Sequence, residues 1–387
     1  MEFSYLVGSI FKIPMKKKQI LLLLLVVAAA LPLKAQQTIR GFITDSITAE
    51  PLFGAVAYFN GTSIGTPVNE EGYFELSIPE GFTAPLVVSF MGYEKLLYQA
   101  PFPKEPMQIK LRPSLNQLGT VVVDSRTRTL QNNPSGEKER ELVMELMDRD
   151  WFALFSQVFL GEGKGTSDTY ISNKEVLEYR YDGLHQIIEV SARAPIIIEN
   201  EYLRYRISYN LDSFQFQLKK KGESLEPVSY SLAGTSFFLD RLEQERTSKR
   251  RKEKIEERRK EAFLGSNFHF MQALVANSLR KAGFDVYAFD SQTNQKIRPD
   301  FRRVAARPFI RVTAPETFYV KYKGQESRIV SKESSFKVDE FGNVHPWDAV
   351  RYDGHMGTAG MSSAVPLNYQ AAPEKGTSGE SGATLTD

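Results

Sequence analysis

Residues 41–79 read GFITDSITAEPLFGAVAYFNGTSIGTPVNEEGYFELSIP, and this stretch decides the fold of the first part of the chain. Short apolar runs recur with turn residues between them, the pattern of an all-β sandwich. The clearest strand spans 73–78. Phe74, Leu76 and Ile78 fall on one side of it, and Tyr73, Glu75 and Ser77 on the other. A period of two is what a half-buried antiparallel strand produces. Residues 86–90 are more continuously apolar and fit a central strand. Asn60-Gly61, Glu71-Gly72 and Glu80-Gly81 supply residues that tolerate positive φ, as tight connections require. Pro51, Pro79 and Pro85 sit at run edges, where a missing N–H costs no ladder bond.

Working outward to the N-terminus, Lys16, Lys17 and Lys18 precede an unbroken apolar run over 20–31. A basic flank, a short apolar core and a small residue at the exit describe a secretory signal peptide over 1–35, with Met15 as an alternative start. Cleavage is expected between Ala35 and Gln36. The apolar run is shorter than the roughly 18 residues a spanning helix needs. The chain has no cysteine, so disulfides play no part and each core must hold by packing alone. With 387 residues, 42% of them apolar and 12% aromatic, there is material for at least two cores. The formal charge of +2 is dominated by the first 35 residues, whose five Lys and one Glu leave about −2 for the remainder. That balance lacks the broad positive field a nucleic-acid binder needs.

The same opening residues carry a resemblance. Residues 41–79, then LVVSFMGYEK (86–95) and LNQLGTVVV (115–123), resemble the carboxypeptidase-D regulatory-like module, a transthyretin-like β-sandwich. The resemblance implies such a sandwich over 36–124. It also implies the company the family keeps: metallocarboxypeptidase domains, the N-terminal extensions of TonB-dependent nutrient receptors, and smaller envelope proteins. Carboxypeptidase chemistry does not follow. A zinc carboxypeptidase needs an H-x-x-E pair, and three residues beyond His185, His269, His345 and His355 stand Ile188, Gln272, Asp348 and Thr358. Nor does the remainder contain the series of ten-residue alternating strands that a receptor barrel needs.

Residues 125–137 are polar and read as a linker. An α+β domain over 138–360 follows, with an antiparallel sheet and two or three helices, then a mostly disordered tail over 361–387. Val143, Leu146, Met147, Trp151, Leu154, Phe155, Val158 and Phe159 recur at helical spacing and end near Gly161, giving a helix that covers a sheet. Strands are expected at 176–181, 184–192, 205–210 and 214–218, with Asp182-Gly183 as a hairpin turn. Their aromatic residues fit packing first and a sugar-stacking platform second. Residues 239–261 are strongly charged and predict one exposed helix laced by pairs four apart, such as Lys249/Glu253 and Lys252/Glu256. A second helix is expected over 268–281, closed by Gly283. Strands follow at 309–312, 317–322, 327–330 and 335–338, with a turn at Phe341-Gly342-Asn343. FLGSNFHFMQAL, VDEFGNVHPWDAV and VPLNY resemble a region found behind the same sandwich in Gram-negative envelope proteins.

His345, Asp348, Asp353 and His355 are metal-capable types within eleven positions, but their spacing matches no standard metal motif. Gly161, Gly163 and Gly165 follow a helix instead of opening one, so they read as a helix stop and not a phosphate cradle. No nucleophile elbow, P-loop or dinucleotide fingerprint is present, and no cofactor is expected. The reading that results is a non-enzymatic, exported envelope protein. It would be periplasmic or outer-membrane associated, acting as a binding or interaction module beside a nutrient-uptake receptor, or on a saccharide or peptide. The alternatives are a metal-dependent hydrolase sited near His345–His355, and an outer-membrane assembly factor using the charged helix as its contact arm.

Overall fold

The computed structural model describes residues 36–79, 81–114, 148–222, 224–346 and 349–371. The expected signal peptide with Ala35, the linker, residues 138–147 and the tail beyond 371 lie outside them, as does Asp348. Among the described residues no helix is long and apolar enough to cross a membrane.

The first module is built from β1 (Gln36–Asp45), β2 (Val56–Phe59), β3 (Gly65–Pro67), β4 (Tyr73–Pro79), β5 (Leu86–Ser89), β6 (Leu96–Tyr98) and β7 (Met107–Leu111). They form two sheets, in the orders β4-β1-β7 and β3-β2-β5-β6. Alternation sets the inner faces as expected: Phe74, Leu76 and Ile78 of β4 are buried, and so are Met107, Ile109 and Leu111 of β7. β5 lies inside its sheet, and Leu86, Val87 and Val88 are all fully buried. β1 and β7 pair in parallel, with Gly41 opposite Met107. A Cβ on Gly41 would come within 2.5 Å of the Met107 carbonyl, so this approach needs glycine.

Next come α1 (Trp151–Leu160), β8 (Thr169–Ile171), β9 (Leu177–Asp182), β10 (Ile187–Ala192), β11 (Ile196–Asn200), β12 (Tyr205–Lys221) and β13 (Ser224–Asp240). The sheet order is β8-β11-β12-β10-β9, with β13 also paired to β12. α1 starts where the Asp150 carboxylate accepts the Ala153 N–H (2.9 Å) and ends at Gly161. Its apolar side packs on the sheet, with Phe155 edge-on to Phe214 (4.9 Å) and Phe159 to Tyr209 (5.0 Å). The pieces expected at 205–210 and 214–218 are one 17-residue strand, because the chain passes Asp212 through a bulge instead of a break. It pairs along its length with β13, which the sequence reading did not name.

The last part holds α2 (Arg241–Gln244), α3 (Lys249–Phe263), α4 (Asn267–Val275), β14 (Phe284–Phe289), β15 (Lys296–Ile297), β16 (Arg302–Ala306), β17 (Phe309–Thr313), β18 (Thr317–Tyr322), β19 (Gln325–Ser331), β20 (Ser335–Val338), β21 (Val344–His345), β22 (Val350–Gly354) and α5 (His355–Thr358). Two antiparallel sheets result, β15-β14-β18-β19-β22 and β16-β17-β20-β21. Phe270, Met271 and Leu274 of α4 enter a core with Phe284, Phe318, Ile329 and Phe336.

Three expectations need correction. The charged segment is not one helix: β13 runs to Asp240, whose carboxylate caps α2 through the Leu242 N–H (2.8 Å), and the chain leaves helical geometry before Ser248. The helix expected to reach 281 stops at Val275, because Asn277 adopts φ +54. Residues 361–371 are not a loose tail. Val365 and Leu367 are buried, and the Leu367 N–H donates to the Gly61 carbonyl (2.8 Å).

The sandwich is joined to the following sheet by more than sequence. Thr38–Ser77 and the described residues from Gly81 onward belong to one compact unit. Gly61 N–H donates to the Ser236 carbonyl (2.7 Å), and Phe238 N–H to the Thr62 carbonyl (2.9 Å). The Tyr58 hydroxyl is shared by Asn210 (2.8 Å) and Thr235 (3.1 Å), and Lys95 pairs with Asp212 (2.6 Å). Thr83 donates to Asp339 (2.7 Å), where Phe82 meets Phe341 edge-on (4.9 Å).

Candidate functional site

Of the metal-capable residues, His345, Asp353 and His355 do not come together as a constellation, and Asp348 lies outside the described residues. His345 lies on β21 with its ring stacked on Phe309 (5.2 Å). Asp353 lies on β22 and pairs with Arg328 (2.6 Å) and Arg351 (3.3 Å). His355 opens α5, where burial lowers its pKa. Among the described residues, no three of His, Asp or Glu gather as a metal-holding group. On the sheet that α1 covers, Tyr205, Phe214 and Phe216 are buried and serve packing, while Tyr170 and Tyr230 stand exposed at separate strands.

An exposed aromatic ladder does exist, on the other sheet. Tyr287 of β14 stacks on Tyr319 of β18 (5.1 Å), Phe289 closes edge-on, and Lys296 Nζ sits 4.2 Å from the Tyr287 ring centre. The Tyr287 hydroxyl donates to Glu326 (2.8 Å). Desolvation and this bond push its pKa up to about 12. The Tyr287 ring thus already has two partners, Tyr319 and Lys296.

The densest concentration of buried charge lies where β11, β12, α2 and α3 meet. Asn200, fully buried, sets the connection: its side chain accepts the Leu203 N–H (2.8 Å) and donates to the Ser362 carbonyl (3.0 Å). Arg204 follows at φ +60, a left-handed position costly for a residue with a Cβ. Its guanidinium is held by Glu201 and Glu245. Arg241 bonds Glu199 (3.2 Å), Glu201 and Glu245 (3.1 Å), and Arg206 closes the chain on Glu199 (2.6 Å). Burial would raise the Glu245 pKa, but the hydrogen bond and charge of Arg204, with Arg241, outweigh it and hold the carboxyl below its ordinary range.

Arg259 ties α3 to this cluster. It is 3% exposed, although the residues around it in sequence are nearly all charged. Nε donates to the Leu203 carbonyl (2.9 Å). The two Nη atoms fork onto Asp240 (2.8 Å each) and reach Glu256 (3.0 Å) and the Arg204 carbonyl (3.4 Å). All five donors of the guanidinium are used, and its plane lies 4.0 Å from the Tyr205 ring centre. Asp240 thus caps α2 and anchors α3 with the same carboxylate.

Beside this anchor is an open cleft of about 240 Å³, lined by Glu201, Arg204, Arg251, Lys254, Ile255 and Arg258. Arg251, Lys254, Ile255 and Arg258 are three, four and seven residues apart, which puts them on one side of α3. The acids Glu253, Glu256 and Glu257 fall on other sides. The like-charged neighbours Arg251/Lys254 and Lys254/Arg258 each disfavour the helix by about 0.2–0.5 kcal/mol. Arg258 is oriented by the Tyr202 ring (4.3 Å) and the Tyr202 carbonyl (3.2 Å). The sequence reading saw interleaved charges here and missed the cleft. The spacing of 251, 254 and 258 was the available signal.

Residues 39–123 match the family model of the CarboxypepD_reg-like domain. The first module is therefore a carboxypeptidase-regulatory-like β-sandwich: alternation and turns implied the sandwich, and the resemblance implied the family. The chain is also similar to the TonB-dependent receptor SusC of Bacteroides thetaiotaomicron, 34% identical over 103 residues, which is 26% of this chain and 10% of the receptor. The match thus spans about a tenth of the receptor's own length. Two solved cohesin–X-dockerin complexes from Acetivibrio cellulolyticus, an N-terminal and a C-terminal interface mutant, overlap 19% of this chain and 51% of theirs. Their identities are 15% and 18%, each with a TM-score of 0.16.

Proposed function

We propose that this chain is a non-enzymatic, exported binding module that works beside an outer-membrane, TonB-dependent receptor in nutrient uptake. The observation that carries the reading is the regulatory-like sandwich at 39–123, the part of the chain similar to such a receptor. The signal-like run before Gln36 supports export to the periplasm.

The geometry supports an interaction role over a catalytic one. The sandwich attaches to its own chain through the turn after β2 and the face bearing Tyr58 and Lys95. The sheet β4-β1-β7 keeps an outward side where Phe42 and Tyr73 are in ring contact (5.3 Å). That side is the part of the module offered to a partner. His345 stacks on Phe309, Asp353 is paired with arginines, and His355 stands at the start of a short helix, which supports a packing role for them over a shared catalytic one.

Cross-linking in intact cell envelopes, followed by identification of what is captured, tests the reading. Recovery of a TonB-dependent receptor is the expected outcome, and a Phe42→Asp variant should lose it. Recovery of the chain alone would refute the association.

A further inference from the structure

A second site is carried by α3, and it stands whether or not the uptake reading holds. The cleft beside Arg259 presents four cations and one carboxylate. The carboxylate is already committed, since Glu201 bonds both Arg204 and Arg241. Arg251 and Lys254 are exposed and have no hydrogen-bond or ion-pair partner among the described residues. The cleft therefore holds uncompensated positive charge on groups that crowd one another along one side of the helix.

We propose that this cleft binds a phosphate-bearing anion. Arg251, Lys254 and Arg258 of α3 and Arg204 of the turn before β12 line it together. A tetrahedral dianion with several terminal oxygens uses such a set, whereas one carboxylate occupies a single fork. Size points the same way. At about 240 Å³ the cleft is below the roughly 300–1,000 Å³ of sites that enclose a whole small molecule, which suits a single charged group of a larger ligand. The deeper cations are oriented in advance. Arg204 is fixed by Glu201 and Glu245, and Arg258 by the ring and carbonyl of Tyr202. Binding then has only Arg251 and Lys254 left to order. An anion here would also relieve the repulsion between Arg251, Lys254 and Arg258.

The phosphate can belong to a soluble molecule or to a lipid head group, and two probes separate these sources. Pyrophosphate is titrated calorimetrically into the chain from residue 36 onward. The same protein is floated with vesicles of phosphatidylcholine alone or with added phosphatidic acid. We expect saturable binding of one or both phosphate probes, weakened about tenfold or more by Arg251→Ser/Lys254→Ser. Arg250→Ser/Lys252→Ser removes equal charge from residues of α3 that do not line the cleft and should bind as the parent does. Binding of pyrophosphate alone assigns a soluble phosphate, and binding of acidic vesicles alone assigns a head group. Binding of neither probe overturns the proposal. So does equal binding by the Arg251/Lys254 variant, or an equal loss in the Arg250/Lys252 control.

Discussion

Two sides of α3 use the same residue types for opposite ends. On the inner side, Arg259 is 3% exposed and every donor has an acceptor. On the outer side, Arg251 and Lys254 project into an open cleft with no partner among the described residues. The difference teaches that charge content alone says little about a helix. What matters is whether distant acceptors, here Asp240 and the carbonyls of Leu203 and Arg204, meet the charge when the chain folds. A satisfied buried cation organises the fold, and an unsatisfied exposed one is available to a ligand.

A charge buried without partners sets the upper end of this comparison. Leu76 is as buried as Arg259 but is surrounded by apolar side chains. Leu76→Asp should cost more than about 4 kcal/mol in chemical denaturation. Because the sandwich is bonded to β13 and to Leu367, loss should appear as one transition across the chain. A separate early transition of the sandwich would contradict that junction. Arg259→Ala should follow at about 3–5 kcal/mol, since it strands Asp240 and Glu256 in a partly buried cluster. Arg259→Lys should recover only part of this, because an ammonium cannot reproduce the fork on Asp240. Full recovery would mean that charge, and not geometry, anchors the helix.

A smaller effect tests the other end of α3. His269 accepts the Gly265 N–H at Nδ1 (3.0 Å) among Phe263, Phe284 and Tyr322, and burial lowers its pKa to about 4. Below the ordinary value of 6.5 the unfolded chain takes up a proton that the folded chain refuses. Stability from the neutral imidazole is therefore complete above that pH and falls as the pH drops toward 4. About 1–2 kcal/mol should be lost across this window, allowing for the partial exposure of the ring. His269→Gln should flatten the profile, and an unchanged slope would exclude His269 as its cause. The smallest effect belongs to the outer stripe: Arg251→Ser/Lys254→Ser should change stability by no more than about 0.5 kcal/mol.

The fold was most legible where its signals are local. Alternation at Tyr73–Pro79 and glycines placed at turns marked the sandwich without any knowledge of its partners. The stripe from Trp151 to Phe159 marked α1 in the same way. β13 was hidden because Pro227 and Gly234 interrupt its pattern and its pairing with β12 is a tertiary fact. The break between α2 and α3 was hidden because a run of charged residues carries no apolar period to interrupt. Arg259 was illegible for a stronger reason: apart from Glu256, its acceptors lie 19 and about 55 positions away. The cleft was half legible, since the spacing of Arg251, Lys254 and Arg258 can be read, but Arg204 opposite them cannot. The metal-capable types near the C-terminus were legible as residues, and the structure gives His345 and Asp353 separate partners, Phe309 and the arginines Arg328 and Arg351.

The division of labour across α3 is tested most directly by thermal unfolding with and without pyrophosphate. Three proteins are compared: the parent, Arg251→Ser/Lys254→Ser and Arg250→Ser/Lys252→Ser. Ligand that binds only the folded state raises the melting temperature. Starting Tm values should lie within a few degrees of one another, with a pyrophosphate-dependent rise in the parent and the Arg250/Lys252 variant that is absent when Arg251 and Lys254 are removed. A rise of equal size in all three, or none in the parent, would contradict that division of labour.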